Sequence, residues 1–267
     1  MALGWRSAAG LLAAALAVAA AGLTSAVAQD GSASGYLGAN VPDSSVFIPP
    51  PPPVGSPADT VDVSTFDNTR RLQGSPRWSL ATSDAVQSPA AMLADFQCAV
   101  GAPLSAATAP RLNHLLTRLA RDAGSIVNKA KDKYQRPRPF TRRPGPICVD
   151  NRDDIAKSWS YPSGHSTGGW STALVLAELA PDRAAQILAR GRAYGESRVV
   201  CGVHYVSDIE AGRSNAAGLV AALHADPAFR ADVAAARAEL EGLRKSAPAP
   251  AGAQCDLQAQ ASAQTPW

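Results

Sequence analysis

Two histidines and an aspartate stand in short clusters whose spacing suits group-transfer chemistry. His204 and Asp208 are four residues apart, which places two side chains on the same face of a helix. A carboxylate there can accept a hydrogen bond from one imidazole nitrogen and leave the other nitrogen free to attack. His165 follows a Pro-Ser-Gly turn and could exchange a proton near neutral pH. The residue types predict nucleophilic and acid–base catalysis, although exposed His–Asp pairs are also common.

The same region of the chain carries groups that suit anion binding. Ser163 and Gly164 begin a predicted helix, where free backbone N–H groups and the helix dipole attract negative charge. Lys131 and Arg138 stand at the end of an earlier helix, and the prolines on both sides of Arg138 hold its segment extended. Arg198 ends a third helix. Each cluster alone also fits an ordinary helix terminus, but together they supply what displacement at phosphorus requires.

Hydrophobic periodicity predicts the helices that must bring these clusters together. Apolar residues recur at three- and four-residue spacing over 112–127. Further helices are predicted over 164–179, from 181 onward, over 204–224 and over 228–243. Few segments alternate as strands do, so we expect an all-α, single-domain helical bundle.

The ends of the chain differ in composition from the middle. Residues 1–28 combine a basic start, an apolar run and a small-x-small ending, which predicts a signal peptide. An uncleaved membrane anchor is the less favoured alternative, because the apolar run is short. Residues 29–60 are Pro-rich and are expected to form an extended arm before a helical domain over 61–245. The tail over 246–267 is expected to be weakly ordered. These features predict a periplasmic or secreted protein.

Charge and cysteine content narrow the function classes further. The formal net charge of +3 is too small to suggest a protein that binds nucleic acid, since such proteins usually carry clustered basic residues. Four cysteines, an even number in an exported protein, predict disulfides, and three pairings are open. They are Cys98, Cys148, Cys201 and Cys255. Their spacing does not suit zinc, and we expect neither a metal nor another cofactor.

Three motifs, taken in order, resemble the signature of the type-2 phosphatidic acid phosphatase superfamily. They are Lys131-x6-Arg138-Pro139, Pro162-Ser163-Gly164-His165 and Ser197-Arg198-x5-His204-x3-Asp208. Segments 74–78 and 95–98 resemble the bacterial class A non-specific acid phosphatases, and the whole resemblance covers roughly residues 45–235. Lys129 with Arg136 also satisfies the first spacing. The family pattern Lys-x-x-Tyr-x-Arg-x-Arg-Pro-Phe favours Lys131 and Arg138.

The resemblance implies a role for each matching residue. His204 would become a phosphohistidine, Asp208 would orient it, and His165 would protonate the leaving alcohol. The groups that would hold the phosphoryl oxygens are Lys131, Arg138, Ser163, Gly164 and Arg198. The resemblance also implies the helical fold that acid phosphatases share with vanadium haloperoxidases, broad use of phosphate monoesters, and assembly into homo-oligomers as in many members.

Two other functions compete with an exported acid phosphatase. A vanadium-dependent haloperoxidase would use the same anion site, since vanadate mimics the phosphoryl transition state, but this chain is short for one. A non-catalytic phosphate-binding protein would need the anion site without the His204–Asp208 pair. A lipid-phosphate phosphatase of the superfamily normally carries several transmembrane helices, and no stretch beyond the signal segment is long and apolar enough to form one.

Overall fold

Helices make up the regular secondary structure of the computed structural model, which describes residues 1–2 and 34–267. Residues 3–28 of the predicted signal peptide and 29–33 of the predicted arm lie outside the described residues. No strand occurs within 34–267, so the all-α prediction is confirmed. No helix in the described ranges has both the length and the apolar composition needed to cross a membrane.

The helices are, in chain order, α1 (Ser44–Phe47), α2 (Pro57–Thr69), α3 (Pro76–Ser83), α4 (Pro89–Val100), α5 (Pro110–Tyr134), α6 (Pro139–Arg142), α7 (Arg152–Ala156), α8 (Gly164–Leu179), α9 (Ala184–Val200), α10 (Val206–Leu223), α11 (Pro227–Ser246) and α12 (Ala253–Ala263). Short 3-10 turns precede α3 and α9, and a third lies ahead of α1. All of these elements belong to one compact unit.

Four helices begin with a polar cap followed directly by proline. The side chains of Ser56, Ser75, Ser88 and Asp226 each accept a hydrogen bond from the backbone N–H three residues later. Proline is favoured at the next position, because its missing N–H would have no helical partner there. This cap-plus-proline pattern marks the first residues of α2, α3 and α4, three helices that the apolar periodicity does not predict. In α2 the reason is plain, since most of its buried residues are polar.

The helix that was expected to begin at His204 begins two residues later. Gly202 adopts a φ of 79°, in the left-handed region that glycine tolerates, and turns the chain after α9. Tyr205 is extended and caps α10, whose first residue is Val206. His204 therefore lies in a connecting loop, and the predicted shared helix face of His204 and Asp208 is wrong.

Helix α8 lies at the centre of the helical packing and contacts α5, α9 and α10. Small residues permit these close approaches. A Cβ atom at Gly212 of α10 would lie 2.8 Å from the carbonyl oxygen of Ser163, at the start of α8. The leucine-rich face of α5 is buried over most of the helix, as its periodicity predicts. The N-terminus of α8 is thereby held firmly against α10.

The C-terminal tail is more ordered than expected. It forms α12, and a disulfide between Cys98 and Cys255 joins this helix to α4. Arg192 of α9 also donates a hydrogen bond to the carbonyl oxygen of Ser262 at 2.6 Å. The prediction of weak order overlooked the alanines of the tail, which are strong helix formers. The second disulfide pairs Cys148 with Cys201, immediately after α9, so the structure selects one of the three pairings.

The described part of the Pro-rich arm, residues 34–60, packs along the helices and contains a 3-10 turn, α1 and the start of α2. Helix α1 falls inside the expected arm, and α2 begins at Pro57, before its expected end. Ile48 is buried. The hydroxyl of Tyr161 donates to the carbonyl oxygen of Pro49 at 2.5 Å. The arm is thus attached close to the Pro-Ser-Gly turn.

Candidate active site

The structure brings the three motifs together at the termini of α5, α8, α9 and α10. Arg138 follows α5, and its Nη1 atom lies 3.1 Å from Nε2 of His204, in the loop before α10. The backbone N–H of Ser163 donates to the carbonyl oxygen of Asp208 at 3.0 Å, which joins the α8 turn to α10. The backbone N–H of His204 lies 3.3 Å from the carbonyl oxygen of Arg198. Residues separated by up to about 70 positions in sequence therefore share one pocket.

His204 has the geometry of a neutral nucleophile. It is 2% exposed, and its Nδ1 lies 3.3 Å from Oδ2 of Asp208. Because a carboxylate only accepts, Nδ1 carries the proton and Nε2 keeps its lone pair. Burial and the charge of Arg138 lower the pKa of His204 to about 3. The imidazole is consequently uncharged and able to attack over most of the acidic range.

Asp208 is held by several donors at once. Oδ2 accepts from the backbone N–H of Tyr205 at 2.8 Å and from the hydroxyl of Ser160, and Oδ1 accepts from Nη1 of Arg136 at 2.7 Å. Burial alone would raise the pKa of Asp208. The hydrogen bond from His204 and the charge of Arg136 outweigh burial and hold that pKa below its usual range. Asp208 is therefore an ionised, fixed partner for the imidazole.

Arg136 belongs to a buried ion-pair network that the sequence did not reveal. Its Nη2 atom lies 2.8 Å from Oδ2 of Asp62 in α2, and Asp62 also accepts the backbone N–H of Ser207 at 3.0 Å. Asp59, one helical turn earlier, pairs with Arg142 at 2.8 Å. The Asp-x-x-Asp spacing in α2 was the one available signal. Through Arg136, this network helps to fix the position of the Asp208 carboxylate.

The two lysines that satisfy the spacing of the first motif, Lys129 and Lys131, lie in different surroundings. Lys129 is exposed, with a side chain 66% accessible and 3.9 Å from Asp43. Lys131 donates a hydrogen bond to the carbonyl oxygen of Trp159, and burial together with Arg138 lowers its pKa to about 7. Only Lys131 is therefore close to Arg138.

Within the part of the chain that the structure describes, the guanidinium groups of Arg138 and Arg198 form no salt bridge with an acidic residue. Arg138 donates to three backbone carbonyl oxygens, those of Ile155, Ser158 and Val203, at 2.8–2.9 Å. Arg198 is 2% exposed, and within residues 34–267 its Nε and Nη1 atoms have no hydrogen-bond partner. Burial lowers the pKa of both groups to about 10, so they stay charged. Uncompensated positive charge of this kind is a strong attractor for an anion.

The N-terminus of α8 adds neutral donors to this positive pocket. Ser163 is the N-cap residue, and its Oγ accepts from the backbone N–H and the hydroxyl of Ser166 at 3.2 and 3.0 Å. The Ser163 hydroxyl hydrogen is thus available for another acceptor. The N–H groups of Gly164 and His165 lie in the first helical turn, where no intrahelical acceptor exists. This turn suits phosphate oxygens.

His165 is oriented by a backbone carbonyl. Its Nε2 lies 3.0 Å from the carbonyl oxygen of Ala85, which can only accept, so Nε2 carries a proton and Nδ1 is the nitrogen that titrates. Its ring stacks on Tyr194 with 6.5 Å between centroids and 19° between planes. Burial and the charge of Arg198 hold the pKa of His165 well below its usual value. His165 is therefore neutral at neutral pH while the pocket contains no anion.

Sequence comparisons identify the family. The PAP2 superfamily matches residues 112–231, which include all three motifs. The chain is 46% identical over 220 residues to the acid phosphatase of Zymomonas mobilis subsp. mobilis, covering 82% of this chain and 83% of that one. It is 39% identical over 205 residues to the non-specific acid phosphatase of Providencia stuartii, covering 76% and 83% of the two chains. For the non-specific acid phosphatase of Salmonella typhimurium the values are 36% over 200 residues, covering 74% and 80%. The chain belongs to the bacterial non-specific acid phosphatases of the PAP2 superfamily.

Proposed function

We propose that this acid phosphatase hydrolyses phosphate monoesters in two steps through a phosphohistidine at His204. The observation that carries the proposal is the unprotonated Nε2 of a neutral, buried imidazole, which accepts a hydrogen bond from Arg138 while Nδ1 donates to Asp208. A nucleophile so oriented, beside cations that have no acidic partner among residues 34–267, suits attack on an anionic phosphorus centre.

In the first step the phosphoryl group is bound by Lys131, Arg138, Arg198 and the N-terminal turn of α8, where Ser163 and Gly164 donate. Nε2 of His204 attacks phosphorus in line, the P–N bond forms, and the ester P–O bond breaks. Asp208 stabilises the positive charge that develops on the imidazole. His165 donates its Nδ1 proton to the departing alkoxide oxygen.

The second step returns the enzyme to its starting state. A water molecule attacks phosphorus while Nδ1 of His165 accepts one of its protons, the P–N bond breaks, and inorganic phosphate leaves. His165 must therefore be protonated when the substrate is bound. The negative phosphoryl oxygens offset the charge of Arg198, the nearby cation that lowers the pKa of His165 most, and so raise that pKa once substrate is present.

We propose further that the reaction needs no metal ion and that the protein is exported to the periplasm or secreted. Lys131, Arg138 and Arg198 supply the fixed positive charge that metal ions supply in other phosphoryl-transfer enzymes. Residues 1–28 have the composition of a signal peptide. The two disulfides fit an oxidising compartment.

A rapid-quench experiment tests the mechanism and the metal requirement together. Protein pretreated with EDTA is mixed with a phosphate monoester labelled with ³²P and quenched within milliseconds in alkaline denaturant, because a phosphoramidate hydrolyses in acid. We expect the label on the peptide that contains His204. Label on another residue, or none unless a divalent metal is restored, contradicts the proposal.

The pH dependence of kcat/KM should follow Lys131. The charge of a lysine is present below its pKa and lost above it, so phosphate binding should weaken as the pH rises through about 7. On the acid side, activity should fall only near pH 3, where His204 becomes protonated. An acidic optimum would thus reflect the charge of Lys131 together with the proton that His165 must carry when the substrate is bound.

Lys131→Arg separates this effect from the ionisation of the substrate. Arginine keeps its charge, so the alkaline limb of the kcat/KM profile should move to higher pH by about one unit or more. Lys129→Arg, at the exposed lysine two residues earlier, is the matched control and should leave the profile unchanged. An alkaline limb that stays in place in Lys131→Arg would show that another group controls it.

A further inference from the structure

A buried ion pair joins the end of α3 to α9 behind the proposed active site. Asp84 is 0% exposed and Arg190 is 1% exposed. Nη2 of Arg190 lies 2.6 Å from Oδ1 of Asp84, and Nη1 lies 3.2 Å from Oδ2. Nε of Arg190 donates to the carbonyl oxygen of Asp95 at 3.0 Å, which adds α4. A two-pronged pair of this kind fixes orientation as well as distance.

The same carboxylate holds the third motif. The hydroxyl of Ser197 donates to Oδ2 of Asp84 at 2.5 Å, and Nη1 of Arg77 donates to the Ser197 oxygen at 2.9 Å. Arg190 and Ser197 are seven residues apart in α9, so they lie on one face of it. Arg198 is the next residue. This cluster thus includes contacts from segments 74–78 and 95–98, through Arg77 and Asp95. Both segments resemble the acid phosphatases, but neither contributes a residue to the proposed phosphate pocket.

Ala85 connects the Asp84–Arg190 cluster to His165. Ala85 directly follows Asp84, and its carbonyl oxygen lies 3.0 Å from Nε2 of His165. Tyr194, from the same helix as Arg190, stacks on the imidazole ring. Both neighbours that orient His165 are therefore attached to the Asp84–Arg190 pair, one through the chain and one through α9.

We infer that Asp84 and Arg190 are positioning residues that set the orientation and tautomer of His165 by fixing the Ala85 carbonyl. The inference rests on the proposed function, in which Nδ1 of His165 protonates the leaving group. Neither residue touches the substrate. If the ion pair is weakened, Nδ1 of His165 no longer points at the ester oxygen. Lys131 and Arg138 do not contact the pair, so they still bind the phosphoryl group.

The test is a comparison of leaving groups in Asp84→Asn, measured as kcat/KM because that ratio covers only the steps up to P–O cleavage. The asparagine keeps the size of aspartate but points an N–H donor at Arg190 or Ser197. For glycerol 2-phosphate, whose alkoxide needs a proton to leave, we expect a loss of about 10- to 100-fold. For p-nitrophenyl phosphate, whose phenolate leaves without one, the loss should stay within about 3-fold.

A second readout does not depend on turnover. Histidine labelled with ¹⁵N reports the tautomer of each imidazole by NMR, and the His165 signal is assigned by its loss in His165→Ala. In the wild type we expect proton occupancy at Nε2. In Asp84→Asn we expect a mixture of tautomers, because the carbonyl partner is no longer held in place.

Asp122→Asn is the matched control. Asp122 is also a buried carboxylate, but it accepts from the backbone of Tyr36 and Leu37. Its replacement should lower stability without changing the ratio of the two kcat/KM values. If Asp84→Asn does not fold, Arg190→Lys serves instead, since it keeps the charge and loses the two-pronged contact.

The outcomes separate the inference from the proposed function. Equal losses on both substrates, or an unchanged His165 tautomer, overturn the positioning role of Asp84 and Arg190. If His165→Ala itself shows no dependence on the leaving group, the proposed acid role of His165 fails. The tautomer measurement then still decides whether the ion pair orients the ring.

Discussion

Replacing His204 by alanine is expected to abolish turnover of p-nitrophenyl phosphate, with a fall in kcat of about 10⁴-fold or more. The covalent step loses its nucleophile, and alanine offers no substitute. Inorganic phosphate should still bind, because Arg138, Arg198 and Lys131 are untouched. Kinetics and titration calorimetry on the same preparation measure the two effects separately.

The folded protein should tolerate this change. His204 is uncharged in the pocket, so its removal leaves no buried charge without a partner. Asp208 loses one donor but keeps the N–H of Tyr205 and the guanidinium of Arg136. We expect a loss of about 1–3 kcal/mol in the free energy of unfolding. His224→Ala, at a more exposed histidine, is the control and should keep full activity. A His204→Ala protein with a near-wild-type rate would rule out the covalent mechanism.

Local signals in the sequence were sufficient to predict where several of the proposed phosphate-binding residues lie in the fold. The Pro-Ser-Gly turn predicts the start of α8 at Gly164, because a serine cap and the helix that follows it are adjacent in the chain. The first motif predicts two cations at the end of one helix; Lys131 lies in the last turn of α5, and Arg138 follows that helix. Interactions of this kind involve residues within a few positions of one another, so sequence patterns can report them.

The orientation of His204 could not be predicted in the same way. A four-residue spacing indicates a shared helix face only if both residues are helical, and Gly202 breaks the helix just before His204. The contact with Asp208 survives because Asp208 lies in the first turn of α10 and points back towards the loop. The prediction named the right pair and the wrong geometry.

The supporting ion pairs have no periodic signature at all. Arg136 and Asp62 are 74 positions apart, and Arg190 and Asp84 are 106 apart. Which acid pairs with which base is decided when α2, α3 and α9 pack together, so the sequence alone leaves these partners unassigned. For the same reason the buried face of α2 reads as polar, although its aspartates are fully engaged.

Arg198→Met is expected to lower activity and raise stability at once. The Nε and Nη1 atoms of the guanidinium have no protein acceptor within residues 34–267, so the folded protein holds a buried cation without an acidic partner there. Methionine fills much of the same volume without charge. Turnover of p-nitrophenyl phosphate should fall about 10²- to 10³-fold, as for other preorganised charge-stabilising groups. The free energy of unfolding in urea, without phosphate, should rise by about 1–3 kcal/mol.

Arg190→Met is the matched comparison, because it should change the stability in the opposite direction. Arg190 is equally buried but fully paired, so its loss leaves Asp84 uncompensated and should cost about 3–5 kcal/mol of stability. Inorganic phosphate should raise the Tm of the wild type more than that of Arg198→Met, because at a given concentration a ligand that binds more tightly stabilises the folded state more. A loss of stability in Arg198→Met without phosphate would mean that the arginine is satisfied in the free protein. If the free energy of unfolding instead rises in Arg198→Met and falls in Arg190→Met, the unpaired charge of Arg198 lowers the stability of the free protein and contributes to phosphate binding.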